Sequence, residues 1–252
     1  ACAFKGFAHR LNIKKFDAPH RGLNRAEQGD VVHKVLESIY RQVQSSADLI
    51  AYSEDKLNQL IDAAIQNELK RYGRSGFTQI EHDRLQQLIH KFIATEKQRD
   101  AFRVIATEQT IEANVAGLHF NTRLDRVDKM DNGDRIIFDY KTGKLPSNPW
   151  CGNPIKEPQL PIYATTNPAD GIAFIKPAAD KISITGLARD KDSLPKKTSG
   201  QKSCTDWDEQ LKLWQQQLDQ TSLDYQQGNA EVLPTKGACE YCEYDSLCRI
   251  KK

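Results

Sequence analysis

Apolar positions along the chain follow two periods, and the change between them divides it near residue 100. Before that point the period is helical. Val32, Val35, Leu36, Ile39, Tyr40 and Val43 recur at three- and four-residue spacing after Gly29-Asp30 and line one helix face. Leu57, Leu60, Ile61, Ala64, Ile65 and Leu69 mark a second amphipathic helix, and Leu85, Leu88, Ile89, Phe92 and Ile93 a third, with 72–76 as the loop between them. From Phe102 the pattern becomes that of strands. Segments 102–111, 118–128 and 134–141 read as a three-stranded meander, with Asn132-Gly133 as a two-residue hairpin turn. Ile136-Ile137-Phe138 is a continuous apolar run that reads as a buried strand. A loop over 143–158 leads to a short helix from Gln159 to Ala164, then to strands over 172–175 and 182–187. A polar, lysine-rich loop over 189–203 precedes a last helix, from about Asp206, that carries Trp207, Leu211, Trp214, Leu218 and Leu223.

Composition narrows the class. A chain of 252 residues allows one large domain or two small ones, and 38% hydrophobic with 28% charged residues describes a globular protein with a polar surface. No apolar run approaches the roughly 20 residues that span a bilayer, and no signal-peptide pattern occurs. The expectation is a cytoplasmic protein with no membrane partner. The first residues are Ala-Cys rather than Met, which suggests a piece of a longer protein. A net charge of +2 does not by itself announce a nucleic-acid partner, so any such contact must come from local basic clusters. The absence of a Gly-x-x-x-x-Gly-Lys-Ser/Thr loop excludes an ATP motor of that type.

The candidate chemistry gathers on the meander. Side chains alternate along a strand, so Asp139 and Lys141 share a face, and pairing with the preceding strand would bring Asp125 near Asp139. Two carboxylates and a lysine are costly to gather unless a cation or a phosphate balances them. Glu108 on the first strand is a third candidate, with Glu112, of the same parity, as the alternative. His33 lies beside the apolar face of its helix, where a histidine by itself reads as a core or capping residue. Gln159 and Tyr163, four apart, share a helix face, from which they could contact a nucleic-acid strand or order the lysine. Six cysteines in a reducing compartment argue against a disulfide scaffold and for metal or cluster ligation. Cys239, Cys242 and Cys248 have ligand spacing, and Cys2, Cys151 or Cys204 could be the fourth thiolate for zinc or an iron–sulfur cluster.

Leu124-Asp125-Arg126, followed by Asp139-Tyr140-Lys141, resembles the core of the PD-(D/E)XK nuclease superfamily, most of all its RecB-like branch. Gly29, His33 and Leu36 are similar to the family's first motif, in which the histidine lies over a metal site, and Gln159 with Tyr163 is a further RecB-like feature. One cysteine ahead of these motifs and a Cys-x2-Cys-x5-Cys triplet after them resemble the AddB type, which binds a [4Fe-4S] cluster. That assigns Cys2, Cys239, Cys242 and Cys248 to the cluster and leaves Cys151 and Cys204 as ordinary thiols; Ala3 stands where the family usually has proline. The motifs occur in family order over nearly the whole chain. The resemblance implies an α/β fold with a restriction-endonuclease-like core, a central mixed sheet with an antiparallel meander flanked by helices. A helical insertion and a C-terminal cysteine clasp would complete one domain over 1–252. Its parts would be a first-motif helix (26–52), the insertion (53–100), the catalytic sheet core (102–188) and the C-terminal helix with the cysteine cluster (205–252).

The activity so implied is that of a deoxyribonuclease dependent on Mg2+ or Mn2+, an exonuclease acting on single-stranded or duplex DNA ends and leaving 5′-phosphates. It would work in a RecB/AddB-like repair and recombination system beside a helicase subunit or domain. By the same resemblance, Asp125, Asp139, His33 and the Tyr140 carbonyl hold the metal, joined by Glu108. Lys141 activates water, and Gln159 and Tyr163 position the DNA strand. The alternatives are a catalytically inactive DNA-binding or scaffold domain of the same fold, a zinc-stapled structural module, and a CRISPR-associated iron–sulfur nuclease. The intact Asp125, Asp139 and Lys141 argue against the first, and the long helical segment over 53–100 favours the helicase–nuclease subunit over the last.

Overall fold

The apolar run of the third strand is continuous because helices cover both sides of the sheet there. The computed structural model describes residues 2–13, 22–73, 75–146, 148–178, 181–196, 198–200, 204–234, 237–239 and 242–249. Parts of the loops expected over 72–76, 143–158 and 189–203, and the spacer between Cys239 and Cys242, lie outside these residues. Six strands form one sheet in sequence order: β1 (Phe102–Val115), β2 (Leu118–Met130), β3 (Arg135–Tyr140), β4 (Gly171–Lys176), β5 (Ser183–Ala188) and β6 (Ser199–Gly200). The first three pair antiparallel, β4 joins β3 in parallel, β5 is antiparallel to β4, and β6 is parallel to β5. A parallel β3–β4 pair requires a crossover, and helix α6 (Gln159–Thr166) lies on it.

On one face pack α2 (Arg25–Tyr40), α4 (Glu54–Leu69) and α5 (Gly76–Glu96), against Ile136, Phe138 and Tyr140 of β3. On the other, α6 and α7 (Trp207–Gln226) pack against Ile137, Ile172 and Phe174. The fold is therefore the expected mixed sheet between helical layers, a restriction-endonuclease-like α/β fold. The helical segment after residue 53 supplies much of one core layer through Leu57, Ile61, Ile65, Leu85 and Ile89. Two short helices without a strong periodic signal, α1 (Ala3–Arg10) and α3 (Ser46–Ala51), precede it, and α8 (Asp245–Cys248) closes the described chain. No helix among the described residues is long and apolar enough to cross a membrane.

Two local expectations are corrected. The β2–β3 connection is not a two-residue turn at Asn132-Gly133. Lys129 pairs with Arg135, Met130 N–H donates to Asp134 O, and Gly133 at φ +94° closes a longer connection. The two-residue hairpin lies one connection earlier, at Ala116-Gly117, where both residues have positive φ and Val115 pairs with Leu118. Cys151 and Cys204 are not separate thiols; they are disulfide-bonded, with Cα atoms 5.1 Å apart, which joins the loop after β3 to the approach of α7.

Beneath the α5 side of the sheet lies a fully buried ionic network. Arg126 binds Asp128 through Nε (2.6 Å) and Nη2 (2.7 Å) and Glu96 through Nη1 (2.7 Å). Arg99 adds bonds to Glu96 (3.0 Å) and Asp128 (2.9 Å), so two cations meet two anions. The Arg126 guanidinium lies 3.9 Å from the centroid of Tyr40, whose hydroxyl donates to Glu96 at 2.8 Å. Burial opposes the charge on Glu96, but Arg126 and Arg99 hold its carboxyl below the usual range. Glu96→Ala would leave Arg126 buried without half its counter-charge and should cost about 3–5 kcal/mol of stability, read from urea unfolding. A cost under about 1 kcal/mol would mean that the network is not holding β2 to α5.

Candidate active site

The site forms where β2 and β3 stop pairing. Their ladder ends at Arg126–Phe138, which leaves Asp125 opposite Asp139 with no backbone pair between them. The Asp125 carboxylate fills the gap: its Oδ2 accepts from Tyr140 N–H at 2.8 Å. Helix α2 then enters from one side. Asn24 caps it, with Glu27 completing a capping box, so its first turn is fixed against the sheet. A Cβ built on Gly29 would lie 3.1 Å from Thr142 Oγ1, which is why a glycine serves where the helix approaches the end of β3 closely. One turn later His33 Nε2 donates to Tyr140 O at 2.6 Å, while its Nδ1 lies 3.3 Å from Asp125 Oδ2.

Glu108 arrives from β1. It lies between the pairs Thr107–Arg126 and Gln109–Leu124, at φ +49°, a left-handed conformation costly for glutamate and a mark of backbone held by its surroundings. Ligand atoms of His33, Glu108 and Asp125 lie within 4.8 Å of one another, the single such group of three or more His, Cys, Asp or Glu among the described residues. Glu112 pairs with Asn121 further along the hairpin, away from this group. Asp139 and Lys141 stand beside the trio. Lys141 Nζ is 2.9 Å from Asp139 Oδ2 and donates to Gln159 Oε1 at 3.0 Å. Although Lys141 is that close, neither Asp139 oxygen has a hydrogen bond of good geometry, and both are buried. Buried carboxylate oxygens are ordinarily satisfied.

Charge crowding tunes these groups. Burial raises the Glu108 pKa to about 7, with the Asp125 charge adding and Arg123 opposing. Burial, then the charge on Asp125, pushes Asp139 up as well, against the pull of Lys141. Burial disfavours the charged form of His33, but its bond to Asp125 and the two aspartate charges outweigh that and raise its pKa. The chemistry of the donor set, oxygens with one imidazole, suits a hard divalent cation.

The sequence profile of the PD-(D/E)XK nuclease superfamily matches residues 1–249. The chain belongs to that superfamily. No curated protein matches it in sequence. Among solved structures, the crystal structure of SSO0001 is 17% identical at a TM-score of 0.36, over 98% of this chain and 93% of that one. In this PD-(D/E)XK chain the expected residues Asp125, Asp139, Lys141, His33, Glu108, Gln159 and the Tyr140 carbonyl come together at one end of the sheet.

Tyr163 stands behind Gln159. It is buried, and its hydroxyl donates to Arg123 O, lies 2.8 Å from Thr122 Oγ1 and accepts from Gln159 Nε2 at 3.3 Å. It orders Gln159, and through it Lys141. Arg123, paired with Glu108, was missed in the sequence; its position two before Asp125 on one strand was the available signal.

The four cysteines assigned to the clasp lie on chain ends that meet. Phe4 N–H donates to Glu231 O at 3.2 Å, Cys2 Sγ is 3.9 Å from the same carbonyl, and the buried Tyr244 donates its hydroxyl to Ile13 O at 3.0 Å. None of the four is disulfide-bonded, and no three of their sulfurs lie within 4.8 Å of one another.

The raised Glu108 pKa predicts a pH effect on stability. Its folded value of about 7 exceeds the ordinary 4.5, so the folded state holds the proton more tightly. Its stabilising contribution is complete below about pH 4.5 and is lost as pH rises through about 7. In EDTA, Glu108→Gln should raise the melting temperature at pH 8 and leave it nearly unchanged at pH 5. An equal effect at both would mean that Glu108 is not held protonated by its surroundings.

Proposed function

We propose that the chain is a divalent-metal-dependent deoxyribonuclease of the RecB-like, AddB type, degrading DNA from an end. The observation that carries this is the buried Asp139 carboxylate, with only the Lys141 ammonium against it, beside the compact His33–Glu108–Asp125 group. Such a set is costly empty and is balanced by a dication. Asp125, Asp139, His33, Glu108 and the Tyr140 carbonyl would hold Mg2+ or Mn2+. When bound, the ion supplies charge relief at the phosphoryl oxygens and lowers the pKa of attacking water.

The side chains do the rest. Lys141 is steered by the Gln159 amide and by Asp139, which leaves a donor to orient the attacking water or a phosphoryl oxygen. The buried Tyr163 hydroxyl fixes the Gln159 amide. His33 holds the Tyr140 carbonyl through Nε2 and lies against the Asp125 carboxylate through Nδ1. Products would carry 5′-phosphates, and a helicase subunit or domain would supply the DNA end. Lys141→Ala should lower degradation of end-labelled DNA in Mg2+ or Mn2+ by about 10²–10³-fold or more with the fold intact. Degradation that persists in EDTA, or in the mutant at the wild-type rate, would sink this reading.

The clasp is part of the same proposal. Cys2, Cys239, Cys242 and Cys248 would bind a [4Fe-4S] cluster that joins the chain ends and closes a very long loop, the case in which a cross-link restricts the unfolded chain most. Chain ends that already meet through Phe4 and Tyr244 support a clasp there. Anaerobically purified protein should be brown, with iron and inorganic sulfide in equal amounts, and Cys239→Ser should lose both. A colourless protein containing zinc would replace the cluster with a zinc clasp.

A further inference from the structure

The mechanism above leaves Arg123 unused, although it stands at the mouth of the site. Its side chain leaves β2 two residues before Asp125, on the same strand face. Nε pairs with Glu108 Oε2, and Nη2 lies 3.4 Å from Glu37 Oε2. Glu37, one turn after His33 on α2, also binds Arg41 Nη2 at 2.5 Å. The two carboxylates are nearly buried, with side-chain exposures of 6% and 12%, whereas the Arg123 side chain is 51% exposed. The guanidinium thus closes the acidic group on its solvent side. Without a dication, it is the counter-charge of Glu108.

A dication would change that arrangement. A carboxylate that serves a divalent ion gives up most of its attraction for a guanidinium, and the ion itself repels the guanidinium. A half-exposed ion pair holds little free energy, so giving it up is inexpensive. Glu37 would keep the freed group at the mouth, where a phosphate must arrive. A guanidinium presents a planar fork of donors that fits two phosphate oxygens.

We propose that Arg123 is a metal-gated phosphate clamp: it neutralises Glu108 while the site lacks a dication, and binds a DNA backbone phosphate once Glu108 turns to the ion. This rests on the metal-dependent nuclease reading. It makes Arg123 a substrate-binding residue whose DNA contact depends on metal.

The test measures binding, in a Lys141→Ala background that prevents turnover. A fluorescent single-stranded oligonucleotide is titrated by anisotropy in Mn2+ and in EDTA, and Mn2+ binding is followed by loss of the free-ion spin-resonance signal. Adding Arg123→Gln should weaken DNA binding about tenfold in Mn2+ and lower the salt slope by about 0.7, the share of one phosphate contact on a single strand. In EDTA it should change little, and Mn2+ affinity should be equal or tighter. Arg123→Lys, which keeps the charge without the fork, should recover part of the loss. Equal weakening with and without Mn2+ would reduce Arg123 to ordinary surface charge and overturn the gate. Weaker Mn2+ binding with DNA affinity intact would make it a mere support for Glu108, and overturn it too. A parent that binds no Mn2+, or binds it unaffected by Asp125→Asn, removes the nuclease reading and the clamp together.

Discussion

The site depends on one hydrogen bond, from the Tyr140 amide to the Asp125 carboxylate. It forms where the β2–β3 ladder ends, so a side chain takes over from backbone pairing. A bond to a charged acceptor contributes about 1.5–3 kcal/mol, more than a ladder bond between neutral groups. It fixes three things at once. The Tyr140 carbonyl is turned toward His33, Asp125 is held opposite Asp139, and Lys141 is sent toward Gln159. The strands diverge and yet remain rigid, and the opening between them is lined with oxygens.

Rigidity of that kind needs a foundation, which the ionic network supplies. Arg126 follows Asp125 directly and is locked from beneath by Asp128 and Glu96, with Tyr40 of α2 against its guanidinium. Tyr40 and His33 stand on the same helix, two turns apart. Movement of α2 over the sheet would therefore break the buried Tyr40–Glu96 bond and the His33–Tyr140 bond together. Buried charge is a poor source of net stability, but it penalises every wrong register heavily. Here one register serves both the network and the site.

Much of this was legible in the sequence because it rests on periodicity. The three main helices of one layer and the meander follow from apolar spacing, and the central position of β3 from its unbroken run at 136–138. The hairpins were less legible. Asn132-Gly133 carries the stronger turn signal, yet the β2–β3 ladder stops at Lys129–Arg135 and leaves a longer connection around it, and the tight turn falls at Ala116-Gly117, where alanine takes an unfavoured conformation. Helix α1 was hidden because it is short and held by contacts from far along the chain, among them Arg10 against Tyr225. Arg123 and Glu37 were hidden for another reason. Isolated charges carry no periodic signal, and only the fold reveals that Arg123 stands between two nearly buried carboxylates, Glu108 and Glu37.

Glu108 shows where local rules yield to the site. Strand parity allows it and Glu112 equally, and propensity gives neither a left-handed backbone. The conformation at φ +49° aims the Glu108 carboxylate at Asp125 and His33, and burial with a neighbouring negative charge makes it a reluctant anion. Strained backbone and a raised pKa both cost free energy in the metal-free chain. Neither is needed to build the sheet, since the pairs on either side of it, Thr107–Arg126 and Gln109–Leu124, keep one register. A position that the fold does not require and that costs free energy in the chain alone is what a candidate metal ligand would show. The same dication that relieves Glu108 would relieve Asp139, where burial and the Asp125 charge outweigh the one cation beside it, Lys141.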